Sequence, residues 1–209
     1  NVGDQQTDSV ALRNAINAGV LPGPRIFTDG VPIGSTGGHA DPTDGYRSDL
    51  AGNPGPKDGI INSPQDAWKA VRQHYKDGDD LIKIMPSGGV LDESASADNP
   101  QMTLAEIKAV VAAAHDYGFT VAAHAHGAEA IRRAVLGGVD SIEHGTFMND
   151  EDMKLMKEHA LGTCPPSSPA STSRRWPASP AITRRRSRRR PGRSGRSSRP
   201  PPARPIAPA

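Results

Sequence analysis

The chain has 209 residues, enough for one ordinary domain but short of the roughly 250 typical of a complete (β/α)8 barrel. Its net charge of +2 hides a split: residues 1–164 carry 13 Lys+Arg against all 23 Asp+Glu, whereas residues 165–209 carry 12 Arg and no acid. The single cysteine, Cys164, excludes an intramolecular disulfide framework and a Cys-rich zinc module. No apolar run approaches the ~20 residues of a membrane helix, so a soluble chain with no membrane partner is expected.

Taken in chain order, residues 8–18 suit a helix stopped at Gly19, and Arg25 to Thr28 reads as a short strand after Pro22 and Pro24. A Gly-rich loop is expected from Asp29 to Asn62. Ser63, with Pro64 first and Asp66 third, predicts a helix through Trp68, Val71 and Tyr75, and Leu81 to Met85 predicts a strand. Thr103 and Glu106 form a capping box that opens a helix through Ile107, Val110, Val111 and Ala114 to Gly118. A strand from Phe119 to His124 follows, then a helix from about Ala128 to Leu136 ending at Gly137-Gly138. A strand from Asp140 to His144 and a helix capped by Asn149 complete the series.

Repeated strand–helix alternation with short connections implies right-handed crossovers and a parallel sheet. No GxGxxG or GxxxxGK[ST] follows any strand, which removes the usual phosphate-cradling reason for an open sheet. The fold class is therefore α/β, a partial (β/α)8 TIM barrel comprising about strands 3 to 6, over residues 1–164.

Residues 165–209 are a second, unlike piece. Runs such as Arg184-Arg185-Arg186 and Pro200-Pro201-Pro202 leave almost nothing to bury, so a disordered basic tail is expected. A nucleic-acid partner for these arginines is the weaker reading; Arg, Pro, Ser and Ala without acid is also what GC-rich DNA yields out of frame, and the change at Cys164-Pro165 is abrupt. The absence of an initiator Met fits a processed or partial product. Cytoplasmic location is favoured, with export of a longer parent left open, and the exposed edge strands of a partial sheet leave room for a homo-oligomer.

Polar residues stand where strands should be apolar. Lys83 interrupts Leu81-Ile82-Lys83-Ile84-Met85, and a buried unpaired ammonium costs several kcal/mol. His124 and His126 end the next strand at i and i+2 on one face, with Gly127 after them, and His144-Gly145 ends the following strand. A lone strand-end His is more often a satisfied core residue, and a lone Lys can snorkel. Three successive strands ending in Lys, His and His are less easily coincidental. Because the carboxyl ends of parallel strands converge on one rim, Lys83, His124 and His144 should share a pocket. Neutral imidazoles ligate zinc, and a lysine carrying a carbamate could bridge two cations.

Ile82-Lys83-Ile84-Met85 with Gly88-Gly89, Ala123-His124-Ala125-His126-Gly127 and Ser141-Ile142-Glu143-His144-Gly145 together resemble the amidohydrolase superfamily, in particular its imidazolonepropionase-like and Xaa-Pro dipeptidase-like members. Asn1-Val2-Gly3-Asp4, Leu21-Pro22-Gly23-Pro24-Arg25 and Thr36-Gly37-Gly38-His39 are similar to the same group. The resemblance implies a metal-dependent hydrolase of peptide-like or cyclic amide C–N bonds, using a metal-activated hydroxide on a small-molecule or dipeptide substrate. It implies two divalent ions, zinc first, with CO2 carboxylating Lys83 as a bridge and His124 and His144 as ligands. His126 and His39 are expected to contact substrate, His39 by touching it or by polarising the scissile carbonyl. The family's first-strand His-x-His and eighth-strand Asp have no counterpart here, so this chain alone is expected to be inactive. Phosphotriester or lactone hydrolysis, a mononuclear deaminase, and a metal-binding but non-catalytic piece are the rival readings.

Overall fold

A computed structural model describes residues 1–4, 6–92 and 96–164, all within the first of two units, Asn1–Pro169 and Ala170–Ala209. The basic segment 165–209 lies outside the described residues.

Helix α1 (Asp8–Asn17) opens the chain, and a single turn, α2 (Ser48–Ala51), and a 3-10 turn at Pro56–Asp58 punctuate the long loop. Helix α3 (Pro64–Asp77) begins where Ser63 Oγ accepts the Asp66 N–H and stops at Gly78, whose φ of +87° no L side chain adopts without strain. Strand β1 (Ile82–Ile84) follows, then α4 (Leu104–Asp116), β2 (Val121–Ala125), α5 (Ala128–Gly137), β3 (Ser141–His144), α6 (Asp150–Glu158) and β4 (Gly162–Cys164). Reciprocal capping boxes start α4, through Thr103 and Glu106, and α6, through Asn149 and Asp152. No described helix is long and apolar enough to cross a membrane.

The four strands are parallel and lie in the order β1-β2-β3-β4. Each new strand adds on the same side of its predecessor, so right-handed crossovers put α4, α5 and α6 on one face. A doubly wound sheet would reverse direction at a switch point; this one runs on, as the wall of a (β/α)8 barrel does. Alternate residues Ile82, Ile84, Val121, Ala123, Ala125 and Ile142 join the buried cluster formed with Val71, Ile107, Val110, Ile131 and Val135 of the helices. Burying a side chain of that size contributes about 1.5–3 kcal/mol. The opposite strand face is therefore the barrel interior.

One expected element is absent. Arg25 to Thr28 is not a strand: the Thr28 backbone bonds Asp80, its carbonyl accepting the Asp80 N–H at 2.8 Å and its N–H donating to the Asp80 carboxylate at 3.0 Å. Gly30 then turns left-handed (φ +64°), and a Cβ there would sit 2.8 Å from an Asp79 carboxylate oxygen. Sheet pairing begins beyond that kink, at Ile33, which donates to Lys83 O and accepts from Met85 N, both at 2.8 Å. Gly34 in turn bridges to Ile60. The sequence between Asp29 and Asn62 is thus tied to the sheet rather than a free loop.

Candidate active site

The loops that follow β1, β2 and β3 meet residues 35–39 at one mouth, and strand register decides which side chains reach it. Lys83 pairs with Ala122, and His124 pairs with Glu143. Partners in a parallel ladder share a face, so Lys83, His124 and Glu143 lie on the side away from the helices. Lys83 and His124 are both buried, 2% and 4% exposed.

The same register pairs His144 with Ala125, which belongs to the helix side. His144 nevertheless reaches the mouth, because its φ of +72° turns the chain left-handed at the strand end, and Gly145 continues the turn at +62°. A left-handed non-glycine residue costs on the order of 1–3 kcal/mol. That strain brings the His144 ring to 4.8 Å from His124 and 5.0 Å from His126, centroid to centroid. Period-two reasoning along the strands alone would have sent it the other way.

Four imidazoles result in one cluster: His39 stacks on His124 at 4.4 Å, and His126 meets His124 edge-on at 4.6 Å. Burial pushes His124 down to about 3, and the neighbouring His39, His126 and His144 add to the shift. His126 and His144 are lowered too, first by burial, then by His144 and by Lys83 respectively. These rings are neutral at pH 7, the form a cation needs.

Three of the rings are also held by hydrogen bonds. Gly88 O lies 3.2 Å from His124 Nε2, and since a carbonyl only accepts, Nε2 carries the proton and Nδ1 keeps its lone pair. His126 Nδ1 lies 2.8 Å from Thr146 Oγ1, and the His126 N–H donates to Ser87 Oγ at 3.0 Å. His39 Nδ1 lies 2.8 and 3.0 Å from the two oxygens of Asp92, which also accepts the Gly89 N–H at 2.7 Å. Gln101 staples the same loop: its side-chain oxygen accepts the His39 N–H at 2.9 Å and its carbonyl accepts Ser35 Oγ at 2.8 Å. Gly89 is required there, because a Cβ would lie 2.4 Å from His39 Cε1.

Lys83 Nζ donates to Val2 O at 3.2 Å. The next amide of the same segment, Gly3 N–H, donates to Asp29 at 2.8 Å. Burial pushes that carboxyl up to about 6, opposed by backbone hydrogen bonds and then by the charge of Lys83.

His124 and His126, kept neutral by burial and each with one nitrogen tied to a carbonyl or hydroxyl, have the chemistry of metal-ligating histidines with outer partners. Among the described residues, however, no three His, Cys, Asp or Glu side chains are arranged to enclose one ion. The rings pack on one another, stacked for His39–His124 and His126–His144 and edge-on for His124–His126 and His124–His144. Asp92, Gln101, Ser87, Thr146 and Glu143 escaped the sequence reading. Only Glu143, two residues after Ser141 on the strand face of His124 and held by Ser141 Oγ at 2.9 Å, carried a usable signal in its period of two.

Residues 2–179 match the model of the Amidohydrolase family. The chain belongs to the amidohydrolase family. Among solved family structures it is similar to a Xaa-Pro dipeptidase with methionine bound in its active site, at 54% identity and a TM-score of 0.76, over 78% of this chain and 40% of that one. A prolidase complexed with N-methylphosphonate-L-proline shares 34% identity at a TM-score of 0.68, over 78% and 41% of the two chains. Ochratoxinase of Aspergillus niger is 30% identical over 161 residues, 72% of this chain and 34% of the relative. The chain thus spans about a third of the length of that curated amidohydrolase.

Proposed function

We propose that this chain forms the central part of a metal-dependent hydrolase that cleaves a peptide-like or cyclic amide C–N bond, a dipeptide being the favoured substrate. The observation that carries the reading is the convergence of the His124, His126 and His144 imidazoles, kept neutral by burial, and a buried lysine at the carboxyl ends of adjacent parallel strands. The names of the dipeptidase, prolidase and ochratoxinase relatives support amide cleavage over the rival chemistries.

In this reading His124, His144 and a Lys83 carboxylated by CO2 would hold the divalent cations, zinc first. Bound there, the cations would polarise the substrate carbonyl and make water nucleophilic near neutral pH. The chain's own residues do the rest. Burial keeps His124 and His144 unprotonated, Gly88 O fixes which His124 nitrogen faces inward, and the left-handed turn at His144 aims its ring. His39 and His126 line the substrate side, and the loop from Asp29 to Asn62 is where substrate selection would reside.

The test is a chimera in which residues 1–164 replace the matching segment of the 54% identical dipeptidase. Zinc-loaded chimera should hydrolyse Xaa-Pro dipeptides, and Lys83→Met, His124→Ala or His144→Ala should each reduce turnover to background. Retained turnover in any of the three variants would remove that residue from the proposed metal set.

A further inference from the structure

We propose that Asp92 is a positioning residue that fixes the tautomer of His39, so that His39 meets the substrate as a hydrogen-bond acceptor. The second half of this inference rests on the hydrolase reading above; the first half does not. Both residues come from loops, 53 positions apart, and they meet only in the folded chain.

A carboxylate has no proton to donate, so the 2.8 and 3.0 Å contacts to His39 Nδ1 require the proton to sit on Nδ1. In the neutral ring Nε2 then holds a lone pair. Among the described residues Nε2 has no hydrogen-bond partner, and the ring is pinned on both sides, by the His124 face at 4.4 Å and by the bare backbone of Gly89. Such a nitrogen cannot donate to a scissile carbonyl. Its complement is a donor, such as the free ammonium or an amide N–H of a peptide-like substrate.

Asp92 is held in turn. One of its oxygens accepts the Gly89 N–H at 2.7 Å, and that fixed demand makes the site sensitive to a minimal change. In Asp92→Asn the oxygen that accepts the Gly89 N–H stays 3.0 Å from His39 Nδ1, and the amide NH2 takes the nearer position at 2.8 Å. The nearer donor favours an accepting Nδ1, and the proton moves to Nε2. Neutral hydrogen bonds of this kind bias a tautomer by about two- to tenfold. The substitution keeps size and shape and inverts what His39 offers.

The experiment is long-range 1H–15N NMR of the histidine rings in the complete chain at pH 8.5, above the ordinary imidazole range. His39 is assigned by the signals lost in His39→Gln. The expected result is Nδ1–H for His39 in the wild type and Nε2–H in Asp92→Asn, with Asp92→Glu restoring Nδ1–H. A proton on Nε2 in the wild type, as the other neutral tautomer or as imidazolium, overturns the proposal, and so does an unchanged tautomer in a folded Asp92→Asn. Should that variant fail to fold, the wild-type spectrum alone decides. The measurement needs neither metal nor turnover, so its failure and failure of the hydrolase reading are separate results.

Discussion

Gly127→Ala isolates how tightly the His-x-His segment is clamped. Gly127 precedes α5 with φ −72° and ψ 145°, a conformation alanine adopts freely. Backbone entropy alone would make the substitution stabilising, by about 0.4–1 kcal/mol, through a stiffer unfolded chain. Space decides otherwise. The new Cβ would lie 2.1 Å from Asp98 O and 2.7 Å from its carbonyl carbon, well inside the 3.4 Å at which ordinary contact begins. The obstacle is backbone, not a side chain that can swing away, so one of two packed segments must shift. Overpacking of this kind costs about 1–3 kcal/mol, and a backbone obstacle puts it at the upper end, leaving a net loss of about 2 kcal/mol. In urea, where m is roughly 1–3 kcal/mol/M for small domains, the midpoint should fall by about 0.7–2 M. Gly162→Ala, where nothing lies within 4 Å, serves as the control and should stay within about 0.5 kcal/mol. Equal midpoints for the wild type and Gly127→Ala would show that the two loops are not in contact as described.

Three further outcomes are expected. Thr103→Ala removes the acceptor of the Glu106 N–H and strands a half-satisfied capping box, lowering urea stability by about 1 kcal/mol. His124 is held down to about 3 when folded against about 6.5 unfolded, so between those values the unfolded chain binds more protons and stability falls as pH falls. The slope from this group reaches about 1.4 kcal/mol per pH unit; urea midpoints at pH 7 and pH 5 should diverge more for the wild type than for His124→Gln, and parallel declines would contradict burial of the ring. Gly89→Ala would put a Cβ 2.4 Å from a His39 ring that Asp92 and His124 hold in place, so it should lower the urea midpoint and shift the His124 ring signals in NMR as the stacked pair separates.

The layered fold was legible because its signals are local. Thr103 and Glu106, or Asn149 and Asp152, announce a helix start within four residues, and apolar periods of 2 and 3.6 separate Val121 to Ala125 from Ala128 to Gly137. Arg25 to Thr28 misled because short apolar runs look alike whether or not a partner strand lies beside them; here Gly30 and Asp29 displace the pairing to Ile33. Lys83 and His124 were legible as polar breaks in apolar strands. His144 was placed beside His124 from the convergence of strand ends, although the left-handed turn that delivers it is a backbone choice that period two does not encode. Asp92 and Gln101 had no signal at all: their meaning lies in contacts 53 and 62 residues away, across loops without periodicity.

Zinc-edge X-ray absorption on the zinc-loaded chain tests the shared metal mouth most directly. The expected spectrum has imidazole nitrogens at about 2.0–2.1 Å from zinc, and a His124→Ala/His144→Ala double variant should lose both that shell and the zinc that produced it. An unchanged imidazole shell and zinc content in the double variant would contradict the assignment, because the metal would then be held by histidines elsewhere.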